Sequence, residues 1–390
     1  MSDLSSLPEL DLLVVGGGIT GLSLGVHGAR AGLRTLVVES GPLGGVSTQR
    51  SGALVRTHYE DPGNATLALA GLEHFESFEE RYGGPSGFVA TGFAYVPTPE
   101  EARSGALAAR VEMLRGIGVE TTLLDAGALR AIDPALDVDD VGVVAYEPRS
   151  GYADPATTCA TLADAALDAG AGLRPHTRVD RLLVDSGGAV AGVVLANGVP
   201  LVARSTVLCA GAWSRGLALG AGVDLPIRPT AVKLAFARRA VAAHLTVIDA
   251  ANGIYFRPDA TGTTLVGRRT WTDEPLRTPD APLPAVDAAF TGDARDRLAR
   301  RLPSAAGAEI LDSRAGMLDM TPDGLPYVGP SPASGLWLCC GWSGTGFKTG
   351  PSVGAALASW IATGAAPPEL SAFAADRAAG ERRSAVRSPH

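Results

Sequence analysis

Leu10-Asp11-Leu12-Leu13-Val14-Val15-Gly16-Gly17-Gly18-Ile19-Thr20-Gly21 is the stretch that decides the fold. The first six residues, mostly apolar, suit a strand buried in a parallel sheet, and a glycine turn follows at once. Leu22 to Ala31 reads as a helix ended by Gly32, and Arg34 to Glu39 as the next strand, which completes a βαβ unit. Gly16 permits the tight turn, Gly18 lets backbone approach a pyrophosphate, and Gly21 allows the helix to pack closely on the strand. The N–H groups of Ile19 and Thr20, at the helix N-terminus, would face the phosphates. Glu39, with Ser40 beside it, closes the second strand where an acid accepts the ribose hydroxyls, and an acid there disfavours a 2′-phosphate. These features predict a dinucleotide site and argue against NADP.

Outward from this unit, the Gly/Ser/Thr-rich loop Gly41–Gly52 offers Ser47, Thr48, Ser51 and Gly52 as further cofactor contacts. A helix is expected over about Asn64–Tyr82, and residues 88–148 alternate short strand-like runs with one helix, Glu100–Ile117. Asp154-Pro155 opens another helix to about Ala169, and strands are expected at Arg178–Val184 and Val190–Leu195. Val207-Leu208-Cys209-Ala210-Gly211-Ala212-Trp213 is a buried strand running into a glycine turn. From Leu225 to about Pro303 the sequence is strand-rich. A strand at Leu336–Cys340, a second glycine-rich loop at Gly341–Gly346 and a helix ending near Gly364 follow, and the polar tail beyond Ala365 is expected to be partly mobile. The expected fold is α/β: a Rossmann-like dinucleotide-binding domain (1–87, 149–224 and 304–390) interleaved with a strand-rich α+β substrate domain (88–148 and 225–303).

Three segments beyond the first turn carry a family resemblance: Val207–Ser214 (VLCAGAWS), Thr321–Gly329 (TPDGLPYVG) and Gly341–Gly354 (GWSGTGFKTGPSVG). Together with the βαβ unit they resemble the FAD-dependent D-amino-acid oxidase and sarcosine oxidase family over residues 11 to about 364. The resemblance implies FAD, held by the first turn and by Val179, Ala210, Gly211, Trp213 and Gly316. At the flavin end it implies Gly344, Thr345, Gly346, Phe347 and Lys348. Independently of the resemblance, Gly344-Thr345-Gly346 just before a helix can bring backbone N–H groups against a ring that gains negative charge on reduction.

Arg56, in Arg56-Thr57-His58-Tyr59, resembles the arginine that binds the substrate carboxylate in monomeric sarcosine oxidases, and Lys348 matches the lysine completing that clamp. Lys348 is one of only two lysines, the other being Lys233. His58 and Tyr255 are further candidates for the substrate cavity. Three departures from the family refine the expectation. Gly316 stands where a covalent-flavin branch has cysteine, and Val46–Arg50 lacks the histidine of another branch, so FAD is expected to be non-covalent. Leu265 stands where monomeric sarcosine oxidases carry an oxygen-activating lysine, so either a cation such as Arg268 or Arg269 substitutes or O2 gives way to another acceptor. The resemblance implies hydride transfer to flavin from the carbon beside an amine, on a small substrate bearing a carboxylate. Oxidation of a 2-hydroxy acid, with His58 as base, and a flavin subunit of an amine dehydrogenase complex with a partner subunit both stay open.

Composition bounds the rest. With 390 residues, 46% hydrophobic and 19% charged, the chain can bury two or three domain cores. Its formal net charge of −8 and lack of a basic run exclude nucleic-acid binding as an expectation. The four cysteines have no zinc-like spacing and are expected to be small buried residues in a reducing compartment. No opening stretch resembles a signal peptide and no apolar run reaches membrane-spanning length, so a soluble cytoplasmic protein without metal is expected.

Overall fold

The computed structural model describes residues 10–269, 274–375 and 377. Leu10–Val15 and Thr35–Val38 pair in parallel in register Val14↔Val37, with the helix Ile19–Arg30 between them. Leu12, Leu13 and Val14 are wholly buried, as the apolar run requires. The sheet order is Tyr327–Pro330, Leu336–Cys340, Pro200–Leu208, Leu10–Val15, Thr35–Val38 and Gly172–Arg174. Val190–Leu195 extends it by antiparallel pairing with Pro200–Leu208, and Val179–Val184 pairs antiparallel with Val190–Leu195 in turn. Strands from both ends of the chain and from its middle thus lie side by side.

A second sheet of nine strands holds Phe93–Val96, Thr122–Asp125, Val143–Glu147 and the strands between Arg228 and Pro275. Ile310–Met320 joins it, pairing antiparallel with Arg228–Arg238 from Arg228↔Met320 to Ala237↔Ile310. The expected boundary near residue 303 therefore does not follow the sheets. The backbone of Ile310–Met320 satisfies its hydrogen bonds in the second sheet before the chain returns to the first at Tyr327. The helix Ala288–Arg301 covers this sheet inside a stretch expected to be strand-rich. Its Arg301, 1% exposed, donates to Asp249 at 2.7 Å and to Asp140 at 2.7 Å.

The helix start signals hold. Asp154 accepts from Thr157 N at 2.7 Å ahead of Pro155–Asp168, and Asp61 caps Pro62–Glu76 in the same way. Two expected helices are broken. Phe78–Tyr82 restarts after Ser77, and Gly105, left-handed at φ +76°, separates Pro99–Ser104 from Ala106–Ile117. A helix at Ala126–Ile132 was not foreseen. Residues 365–375 are not a loose tail, because Leu370 and Phe373 are buried against the core. The remainder of that expectation, 378–390, lies outside the described residues.

The closing helix Gly346–Thr363 packs along the first helix, and glycines set the distance. A Cβ on Gly354 would lie 2.6 Å from Ser23 Cβ, and one on Gly350 3.0 Å from Ile19 Cγ2. This contact brings the second glycine loop to the first turn.

Candidate active site

One continuous cavity of about 450 Å3 runs between the two glycine loops. At one end Gly16, at φ +112°, sits so close to the Cys209 carbonyl that a side chain would collide with it. Gly18 is extended, and Ile19 N donates to Thr48 Oγ1 at 3.3 Å, bending the serine-threonine loop over the helix N-terminus. Glu39 accepts from Gly17 N at 2.7 Å and Gly41 N at 2.8 Å, so its carboxylate ties the glycine turn to the following loop while still facing the cavity. Ser40, Ser47, Ser51, Gly52 and Val179 line the same wall, as do Ala210, Gly211, Trp213 and Gly316. Ser47 Oγ donates to Met317 O at 2.7 Å, which joins the loop to the second sheet.

Two expected residues act from behind the wall. Gly21 meets the carbonyl of Gly16, where a Cβ would overlap it, so it serves helix packing as the sequence indicated. Thr345 is buried, donating to Trp342 O at 2.7 Å, and shapes the second loop without lining the cavity.

At the other end Gly344, Gly346, Phe347 and Lys348 face the cavity. The first-turn N–H groups of the closing helix have no partner within that helix, so its start offers donors to an electron-rich ring. Asp319, which sequence reasoning missed, holds this loop. Its carboxylate accepts from Gly341 N at 2.7 Å and from the Trp342 backbone, and its own carbonyl accepts from Ser343 N. Burial pushes its pKa up to about 6 despite these donors. The position two residues before Thr321-Pro322-Asp323 was the only available signal.

Arg56 and Lys348 come from distant parts of the chain, yet both line the cavity and both face the Tyr59 ring. Arg56 Cζ lies 4.3 Å and Lys348 Nζ 5.6 Å from its centroid. Leu54, Leu234 and Ile248 line the cavity as apolar surface, and Tyr255 also lines it, its ring against Gly52 and Gly267. Burial raises the Tyr255 phenol to about 12, so it is a neutral hydroxyl.

His58 is not part of the cavity wall. Its ring stacks on Tyr95 at 4.5 Å, its Nε2 lies 3.2 Å from Arg110 Nη1, and its Nδ1 lies 4.0 Å from Glu147 Oε1. Burial and the neighbouring arginines hold its pKa well below the usual imidazole value.

Leu265 is fully buried against Leu234, Phe236 and Tyr255. Neither expected substitute reaches the cavity. Arg268 pairs with Asp293 at 3.5 Å, and Arg269 donates to Tyr95 Oη at 3.1 Å. Of the cysteines, all free, Cys209 lines the cavity beside the first turn and the other three are buried. Among the described residues no cluster could hold a metal ion, and no helix is long and apolar enough to cross a membrane.

The comparisons with known proteins agree with this geometry. A model of the FAD dependent oxidoreductase family matches residues 11–360. The glycine oxidase of Geobacillus kaustophilus is 27% identical over 379 residues, 95% of this chain and 98% of that one. Its crystal structure superposes with a TM-score of 0.82 over 96% of this chain and all of that chain. The L-proline dehydrogenase of P. horikoshii superposes at 0.86, with 25% identity over 95% and 98% of the two chains. Sarcosine oxidase subunit beta of Rhizobium meliloti is 26% identical over 391 residues, 95% of this chain and 88% of that one. The chain belongs to the FAD dependent oxidoreductase family of D-amino-acid and sarcosine oxidases. FAD is its cofactor, and it is an oxidoreductase of the amine and amino-acid branch.

Proposed function

We propose that this chain oxidises the C–N bond of a small amino acid or secondary amine that carries a carboxylate, and that Arg56 and Lys348 hold that carboxylate. The observation that carries the reading is their convergence: two buried cations, 3% and 4% exposed, on one cavity wall at the loop expected to meet the flavin ring. Charge-assisted hydrogen bonds to a carboxylate are about twice as strong as neutral ones, and in a dry site they fix its orientation. Flavin, when bound, accepts the hydride equivalent. The chain's residues orient the substrate, exclude water and hold the cofactor at its two ends. Glu39 and the N–H groups of Ile19 and Thr20 take the adenylate half, and Gly344 and Gly346 take the ring half. Leu54, Leu234 and Ile248 favour a small apolar substituent on the reacting carbon.

The FAD is held without a covalent bond in this reading. Gly316 has no side chain to form one, and the lining residues include no histidine and only Cys209, at the opposite end beside Gly16. A 2-hydroxy acid fits poorly, because His58 faces Arg110 and Glu147 rather than the cavity. With Leu265 buried in an apolar cluster, an acceptor other than O2 is favoured, and the likeness to a sarcosine oxidase subunit supports a partner chain as one such acceptor. A cytoplasmic location accords with the four free cysteines.

The test is anaerobic mixing of the holoenzyme with N-methyl and cyclic amino acids, primary amino acids and 2-hydroxy acids. Bleaching of the flavin by amines alone, followed by slow recovery in air and fast recovery with an artificial dye, is the expected result. Bleaching by hydroxy acids alone overturns the proposal.

A further inference from the structure

We infer that Lys348 and Tyr59 form a pair that is one proton short in the empty site and takes up a proton when a carboxylate docks beside it. The inference rests on the clamp proposed above and adds to it a source for the neutral amine that hydride transfer requires.

The geometry is that of a buried cation without a counter-ion. Among the described residues no carboxylate lies within ion-pair distance of Lys348, and the second cation, Arg56, shares the same aromatic ring. The Tyr59 hydroxyl is buried, and among the described residues it has no hydrogen-bond partner besides the Lys348 ammonium that acts on it. Glu147, an acid that acts on Tyr59, is occupied at Oε2 by Thr57 N at 3.0 Å and Ser150 Oγ at 2.6 Å. His58 stands beyond Arg56 and is turned to Arg110. The helices packed on the closing helix bring no charge of their own to the pair. On the first helix, His27 meets Tyr82 and Arg30 meets Arg81 O; on Pro62–Glu76, His74 meets Tyr82, Glu76 meets Arg149, and Glu73 is exposed.

Taking an ammonium out of water without a partner costs several kcal/mol, and the ordinary relief is loss of a proton. Arg56 cannot give one up. Burial and Arg56 hold the Lys348 ammonium below its usual pKa. Burial alone would raise the Tyr59 phenol, but Arg56 and Lys348 outweigh it and pull it below the ordinary value. Both shifts favour removal of one proton from the pair, and the deficit belongs to the two groups jointly.

A docked carboxylate adds the missing negative charge, and the proton returns. With a zwitterionic substrate its source is the substrate's own ammonium. One N–H bond breaks on the substrate nitrogen and one forms on Lys348 Nζ or Tyr59 Oη, with no change of oxidation state. The amine is left neutral, its lone pair free to assist hydride departure.

Propionate is the probe, because it stays ionised above pH 6 and has no proton to give. Its Kd for the holoenzyme is read from perturbation of the flavin absorption between pH 6 and pH 9. The expected wild-type result is a rise of about tenfold per pH unit above the pair's own titration, about 1.4 kcal/mol each. The double variant Lys348→Arg/Tyr59→Phe, which keeps the charge and has no proton to lose at either position, is expected to bind with a Kd independent of pH. A wild-type Kd that is flat with pH, alongside weaker binding by Lys348→Met, overturns proton uptake and leaves the clamp standing. So does a slope that survives in the double variant. Equal affinity of wild type and Lys348→Met, or no perturbation by propionate at any pH, overturns the clamp itself.

Discussion

Arg301 and Lys348 are both buried cations, and their surroundings assign them opposite tasks. Arg301 is met by Asp249, itself 0% exposed, and by Asp140, so it fixes the helix Ala288–Arg301 on the second sheet. Removing one partner of such a pair costs about 3–5 kcal/mol. Arg301→Met is therefore expected to lose that much in urea unfolding. The double variant Arg301→Met/Asp249→Asn is expected to recover part of it, and equal stability of single variant and wild type would contradict the assignment. Among the described residues Lys348 has no such acid, which suits it to an incoming one. Lys348→Met is expected to raise KM for a carboxylated amine by about tenfold or more, with a smaller change in kcat, as measured by steady-state assay. At this scale the sequence was informative where chemistry was local or rare. A lysine in a chain with one other, and Arg56 in an R-x-x-Y stretch, stood out. Asp319 and Glu147 did not, because each acts on residues that only folding brings near: Glu147 bonds to Thr57, ninety positions earlier.

The contact between the first and closing helices decides whether the two halves of the cavity meet. A Cβ on Gly354 would come within 2.5 Å of Ser23 Oγ and 2.9 Å of Leu24 N. Overpacking of this kind costs about 1–3 kcal/mol, which exceeds the ~1 kcal/mol that alanine gains over glycine in a helix. Gly354→Ala is thus expected to lower the melting temperature and weaken FAD retention on dialysis. Gly116→Ala, exposed on the helix Ala106–Ile117 with nothing within 4 Å of the added atom, is expected to be neutral or slightly stabilising. If both variants behave alike, the helix contact is not what holds the loops together. The elements themselves were readable at Leu336–Cys340 and Pro155–Asp168, where a glycine or a capped proline marked an end. The break at Ser77 was not, because Phe75, Phe78 and Tyr82 keep the apolar spacing across it, and Gly105 was not, because a single glycine is tolerated inside a helical run. Ile310–Met320 was missed as a strand because Asp312-Ser313-Arg314 and Ala315-Gly316 interrupt any alternation of apolar and polar residues.

Across the whole molecule, acid sensitivity follows from buried imidazoles. Burial first, with nearby arginines, lowers His27 and His74 to about 4, and burial lowers His244 to about 4. A histidine with a depressed folded pKa stays neutral while the unfolded chain takes up protons below 6.5, so stability is lost as pH falls through 6.5 toward 4. Each such group can contribute up to about 3 kcal/mol by the lower limit. Asp319 and Glu147, both raised by burial, act in the other sense, since the folded chain binds their protons first. The histidines outnumber them, and the melting temperature is expected to fall from pH 6.5 to 5; a rise over that window would show the buried acids dominate. The interleaving of the two sheets was legible in outline, because dinucleotide signals at both ends and in the middle enclosed strand-rich inserts. The crossing of Ile310–Met320 from one sheet to the other was not, since strand pairing at long range leaves no local mark.

The strand order has a consequence for biosynthesis. Leu10–Val15 neighbours Pro200–Leu208, which neighbours Leu336–Cys340, and the wall of the cavity ends at Lys348. A chain emerging from the ribosome N-terminus first therefore carries the phosphate turn unfinished until residues 336–348 have been made. The two ends of the coenzyme thus gain their full set of contacts only once the strand Leu336–Cys340 and the loop leading to Lys348 have been made and docked.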